Sequence, residues 1–166
     1  MITKNVLKAL NEQIGKEFYA AYLYLGMSSK CEEMSRDGFA LWLRMQAEEE
    51  IEHAMKIYDY IHEQSETVEL GPIAKPDIKG KTILEFFKQA LEHEKLVTAS
   101  INSIMDIAVK EKDYGSQIFL QWFITEQIEE ENQTSKIVDD LTFAKNDNAV
   151  IYEIEKKLSK RIEEKE

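Results

Sequence analysis

Four stretches of this chain place their seam residues at alternating steps of four and three. In the second stretch the series is Phe39, Leu43, Gln46, Glu50, His53, Ile57 and Tyr60. The first runs Thr3, Leu7, Leu10, Ile14, Glu17, Ala21, Tyr24 and Ser28. The third runs Ile83, Phe87, Ala90, Glu94, Val97, Ile101, Ile104 and Ala108, and the fourth Ser116, Leu120, Phe123, Gln127, Glu130, Thr134, Ile137 and Leu141. A step averaging 3.5 residues keeps a stripe on one face of a helix. Four such stripes bury one another by packing side by side, which predicts an all-α four-helix bundle. Six glycines and two prolines in 166 residues leave few interruptions to long helices.

The breaks set the connectivity. The first helix is expected over about 3–29, with Ser35–Gly38 as a turn offering Ser or Asp to cap the next helix, which runs to about Gln64. Ser65 to Lys81 holds both prolines and two of the six glycines, and its Thr-Val-Glu-Leu segment suits extended backbone. A connection this long needs a role, and in a bundle that role is a crossover between two parallel helices. Thr82 opens the third helix, and the polar break 110–115 folds the fourth back on it. Residues 149–163 form a short amphipathic fifth helix with Val150, Ile151, Ile154 and Leu158 on one side. Such a helix has little to bury against within one subunit and reads as a subunit contact. The stretch from Lys160 to Glu166 reads as a solvated, frayed end. The expected organisation is one domain over 1–166, with the bundle at about 3–144.

A net charge of −11 argues against a nucleic-acid partner and favours cations. The single Cys31 excludes an intrachain disulfide framework and fits a reducing compartment. No apolar run reaches signal-peptide or membrane-span length, so the expectation is a soluble cytoplasmic protein with no membrane partner.

Each seam is interrupted near its middle by hydrogen-bonding or ionisable groups: Glu17, with Tyr24 two turns on; Glu50 with His53; Glu94; and Gln127 with Glu130. Glu50 and His53, three apart, share a helix face. Glu17 lies 18 residues before Ser35 and Glu50 lies 15 after it; Glu94 lies 19 before Asp113 and Glu130 lies 17 after it. Helices folding back at those turns bring the groups to nearly one level. Buried like charges of this kind must be protonated, hydrated or bound to cations. Oxygen ligands plus one imidazole suit iron or manganese and tolerate zinc. The expected arrangement is Glu17, Glu50 and His53 around one metal and Glu50, Glu94 and Glu130 around a second, with Glu50 as the bridge. Gln127, being neutral, suits hydrogen bonding to bound oxygen or water. The competing reading is a buried polar network that only sets helix register.

Other residues invite plainer readings. Trp42, Trp122, Phe119 and Phe123 read as packing, His93 and His62 as surface residues, and Cys31 as a core or contact residue. Tyr24 fits either a structural role or a hydrogen-bonding or redox role beside the metals. Glu49, Glu126 and Glu129 sit beside the seams, where a solvated face is the default and a third ion or an iron path the alternative.

With Leu10–Leu25, Gln46–Ala54, Glu92-His93-Glu94 and Phe119–Glu131, the chain resembles the non-haem ferritins of prokaryotic type over nearly its whole length. The resemblance implies ferroxidase ligands at Glu17, Glu50, His53, Glu94 and Glu130, with Gln127 close by and Tyr24 as the central tyrosine. It implies a third iron site from Glu49, Glu126 and Glu129 with Glu130. It also implies a hollow shell of about 24 subunits, with the fifth helix at the four-fold axes, in which Fe(II) is oxidised by O₂ or peroxide and stored as ferric mineral. Haem-binding relatives carry a methionine between the Glu and His of the first Glu-x-x-His; here Ile51 and Glu52 fill that interval, so no haem is expected. Relatives with a second Glu-x-x-His differ from the Gln127-x-x-Glu130 found here. A passive metal-holding shell and a peroxide-scavenging di-iron protein are the alternative functions.

Overall fold

The structure, a computed structural model, describes residues 2–163. Its helices are α1 (Lys4–Glu33), α2 (Asp37–Glu63), α3 (Ile83–Lys110), α4 (Tyr114–Ala144) and α5 (Asn148–Glu163). No strand forms among the described residues, so Thr67–Leu70 joins no sheet. The end of the expected frayed tail, from residue 164, lies outside the described residues.

Helix starts follow local chemistry where the sequence supplies a cap. Thr82 and Glu85 form a reciprocal capping box at α3: Thr82 Oγ1 accepts from the Glu85 amide at 3.2 Å, and Glu85 Oε2 accepts from the Thr82 amide at 3.0 Å. Asp113 caps α4 through the Ser116 amide at 3.0 Å, and its other oxygen accepts from the Thr3 amide at 3.0 Å. The cap expected from Ser35 or Asp37 does not form. Arg36 occupies the N-cap of α2 with no side-chain cap bond, and the Gly38 amide instead donates to Glu155 Oε1 of α5 at 3.0 Å.

Side-chain pairings give the helix directions. As α1 advances through Asn5, Lys16 and Tyr24, its partners step backward along the α3 side through Glu111, Ser100 and Glu94. Gln46 and Tyr60 of α2 likewise meet Glu130 and Ser116 of α4 in reverse order. With short turns joining α1 to α2 and α3 to α4, α2 and α3 run parallel, as a crossover requires. The crossover lies along α1. The Glu69 amide donates to Asn11 Oδ1 at 2.8 Å, and near the other end of α1 a Cβ on Gly26 would sit 2.3 Å from Ile78 Cδ1. At Gly26 the crossover thus packs where a larger residue would meet it.

The seams of α2, α3 and α4 are buried at every position predicted. In α1 the seam drifts at its start: Thr3 and Leu7 are half-buried while Val6 is fully buried. Apolar packing separates into two clusters. One holds Tyr24, Met27, Phe39, Leu43, Phe87, Ala90, Ile137 and Leu141; the other holds Leu10, Ile14, Ile57, Val97, Ile101, Leu120 and Phe123. The polar interruptions of all four helices fall between them.

The expectation that α5 lacks a partner within the subunit is overturned. Ile151, Ile154 and Leu158 pack against the first cluster, and Glu155 is 7% exposed, holding Arg36 Nη1 at 3.5 Å as well as the Gly38 amide. The open N-terminus of α2 supplies the site: its first amides lack helical acceptors, and a carboxylate from α5 fills that place.

Candidate metal centre

Between the two apolar clusters, Glu17 (0% exposed), Glu50 (1%), Glu94 (0%), Gln127 (3%) and Glu130 (2%) are buried together with His53 (5%). One helix seam supplies each group or pair, so the bundle brings them together.

Glu17, Glu50 and His53 each offer a ligand atom within 4.8 Å of the others. His53 Nδ1 lies 3.3 Å from Glu50 Oε2. Its ring packs edge-on against Trp122, at 5.5 Å between centroids, and Phe123, at 6.1 Å. Burial pushes the His53 pKa down to about 4, so the imidazole is neutral at pH 7 and free to act as a ligand rather than as the cation of an ion pair. Glu17 Oε2 and Glu50 Oε1 are buried and meet no amide or hydroxyl donor, while the two carboxyls lie within hydrogen-bond reach of each other.

Glu94 and Glu130 lie outside this three-residue group and are held by donors. Tyr24 on α1 donates its hydroxyl to Glu94 Oε1, and Gln127 Nε2 donates to Glu94 Oε2 at 3.1 Å and to the Glu94 carbonyl at 3.3 Å. Gln46 Nε2 donates to Glu130 Oε2 at 2.7 Å, and Gln13 Nε2 donates to Glu17 Oε1 at 3.0 Å. Gln46 and Gln13 were not singled out as site residues from the sequence. Gln46 sat on the seam as a polar residue, a signal that would have found it; Gln13 lies one position off the seam, and only its burial reveals it.

The electrostatics are those of a carboxylate cluster short of positive charge. Loss of hydration raises the pKa of Glu17, Glu50, Glu94 and Glu130, that of Glu130 to about 8. For Glu50 the neighbouring charges of Glu94, Glu17 and Glu130 add to the rise. Burial also raises the Tyr24 phenol well above its usual value, with Glu94 and Glu50 contributing, so the hydroxyl stays a donor. A divalent ion would reverse these penalties, because the ionised carboxylate becomes the favoured ligand form. The donor set fits a hard or borderline cation: oxygen-rich, with one neutral nitrogen and carboxyl oxygens that meet no amide or hydroxyl donor.

Of the acidic residues beside the seams, Glu49 and Glu126 are half-buried, and their charges help to raise Glu130. Glu129 is exposed and accepts from Gln133 Nε2 at 2.6 Å. Trp122 is 39% exposed and carries Lys56 Nζ 4.3 Å above its ring, so it covers His53 from the solvent side while still packing on Phe123. His93 is half-buried against the Tyr19 ring at 5.6 Å, further inside than a surface residue. Cys31 is fully buried in the first apolar cluster. No helix is long and apolar enough to cross a membrane among the described residues.

Residues 7–144 match the family model for the ferritin-like domain. A bacterial non-heme ferritin of Staphylococcus haemolyticus is 40% identical over 161 residues, covering 97% of each chain. One of Campylobacter jejuni is 45% identical over 139 residues, covering 84% of this chain and 83% of the relative. Among solved structures, an open pore ferritin from the hyperthermophilic archaeon Archaeoglobus fulgidus superposes with a TM-score of 0.94 at 37% identity, covering 96% of this chain and 98% of that one. A match that runs from the first turn of α1 to the last residue of α4, with relatives aligned over nearly their whole length, makes this chain a member of the ferritin family.

Proposed function

We propose that this protein is an iron-storage ferroxidase. Fe(II) ions enter the polar belt in pairs. Glu17, Glu50 and His53 ligate one, and Glu50, Glu94 and Glu130 ligate the other, with Glu50 bridging. Each ion gives up one electron, so a pair reduces O₂ to hydrogen peroxide, or peroxide to two waters, taking up two protons in either case. The Fe(III) then passes to a mineral inside a homo-oligomeric shell of about 24 chains.

The observation that carries this reading is the convergence of buried Glu17, Glu50 and His53 ligand atoms within 4.8 Å, with an oxygen on each of the two carboxyls that meets no amide or hydroxyl donor. A network that merely set helix register would give those oxygens such donors, as Glu94 and Glu130 have. The relatives named as non-heme ferritins support iron as the ion. Gln127 and Tyr24 donate to Glu94 and so hold it in place. Glu49, Glu126 and Glu129 with Glu130 form the third iron site; the charges of Glu49 and Glu126 already act on Glu130.

The test is size-exclusion chromatography with light scattering, then anaerobic Fe(II) titration and exposure to air. A particle near 24 chains with a fast coloured phase at about two irons per chain supports both shell and centre. A monomer or dimer with the same phase keeps the centre and discards storage, leaving a peroxide scavenger. A large particle without a fast phase leaves a passive container.

A further inference from the structure

Gln13 is fully buried one helical turn before Glu17, and both ends of its amide are fixed. The chain of bonds begins with Lys16, whose ammonium has only protons to give and donates to Ser100 Oγ on α3 at 2.7 Å. The single hydroxyl proton of Ser100 then goes to Gln13 Oε1 at 2.5 Å. That assigns the amide orientation, with Gln13 Nε2 toward Glu17 Oε1 at 3.0 Å. Every proton in the series points the same way, from an exposed cation to a carboxylate in the core. Serial donors of this kind polarise one another.

The consequence is local. Glu17 Oε1 is occupied by the Gln13 amide, while Oε2 meets no amide or hydroxyl donor. Turning the carboxylate to present Oε1 would break a bond that is itself anchored across to α3. Glu130 is held separately by Gln46, and Glu94 by Tyr24 and Gln127. The Lys16–Ser100–Gln13 series therefore acts on one side of the centre only.

We infer that Gln13 is a positioning residue for Glu17, oriented by Ser100 and Lys16, and that it sets the affinity of one of the two metal positions without setting the other. The inference rests on the di-iron reading above. The experiment uses the full chain as assembled, with anaerobic cobalt(II) titration followed by visible absorption, and then Fe(II) oxidation on mixing with air. Wild type must first bind at least two ions per chain; binding of fewer overturns the di-iron reading itself. Given two ions, Gln13→Leu and Ser100→Ala should each weaken one ion by roughly tenfold or more, the loss expected for an outer-shell partner, and leave the other at its wild-type affinity. Ser100→Thr, which keeps the hydroxyl, should restore the lost site. Should Gln13→Leu fail to fold, Ser100→Ala at the half-buried edge carries the test. Equal weakening of both ions, or no change in either, would overturn the assignment and leave Gln13 a satisfied core amide.

Discussion

Gln46 on α2 donates a 2.7 Å hydrogen bond to Glu130 on α4, joining two helices whose seams meet at the polar belt. Burial holds the Glu130 pKa near 8, and this bond is what pulls it down. Gln46→Leu should therefore raise it further. The variant should lose about 1–3 kcal/mol of stability at pH 9, where Glu130 is ionised, and less at pH 6, where it carries a proton. Urea denaturation at the two pH values checks this; an equal loss at both would point to packing rather than the bond.

Glu50 lies under the combined charge of Glu94, Glu17 and Glu130. Glu50→Gln keeps the shape and removes that repulsion. The metal-free variant should be more stable than wild type at pH 8, by about 1–2 kcal/mol. It should also lose fast Fe(II) oxidation through loss of the bridge. Thermal melting and stopped-flow absorbance would show the opposed effects, and wild-type oxidation kinetics would rule out the bridge.

The pH dependence of the metal-free protein follows from the same cluster. A carboxylate whose pKa is raised on folding stabilises the fold at low pH and loses that contribution as pH climbs through the folded value. Glu130, at about 8, loses its contribution as pH rises from 4.5 through 8, and Glu17, Glu50 and Glu94 shift in the same direction. His53, lowered to about 4, acts oppositely, stabilising above 6.5 and losing that as pH falls toward 4. Above pH 6.5 the carboxylates still change and His53 no longer opposes them, so metal-free stability should fall from pH 6.5 to 8.5. Loading with a divalent ion should flatten the fall and release protons at pH 7, measurable by calorimetry in buffers of different ionisation enthalpy.

Glu155 substitutes for a missing local cap at α2. Glu155→Ala should cost about 1–3 kcal/mol, because the buried Gly38 amide loses its acceptor and Arg36 keeps only Asn148. Thermal denaturation checks the loss. A change under 0.5 kcal/mol would mean that α5 is held by its apolar face alone.

At Gly26 two effects compete. Alanine in a helix interior gains about 1 kcal/mol over glycine, but the new Cβ would meet Ile78 Cδ1 at 2.3 Å. Gly26→Ala should stabilise an Ile78→Ala background by about 1 kcal/mol and gain less than that in the parent chain, where Ile78 must shift. The double-mutant cycle, read by urea unfolding, isolates the contact; the same effect in both backgrounds would show that the crossover yields freely.

Residue spacing alone predicts the bundle and the candidate ligands. Period and burial are the same physical fact: a residue on the seam of a long helix faces the other three. Hence Glu50, His53, Glu94, Gln127 and Glu130 could be read as buried from spacing alone, and the only slip in the seams came at Thr3 and Leu7, where the first turn of α1 drifts toward Val6. What holds each ligand was decided only by the tertiary structure. Gln13 serves Glu17 because Ser100, 87 positions away, fixes its amide, and Gln46 serves Glu130 across 84 positions. The fifth helix shows the same limit. Its amphipathic face was legible, but its partner was not, since the acceptor that α2 lacks at its own N-terminus is Glu155, 117 residues beyond Gly38. Periodicity reports which way a side chain points along its own helix; an unfilled donor or acceptor on another helix is a property of the packed chain.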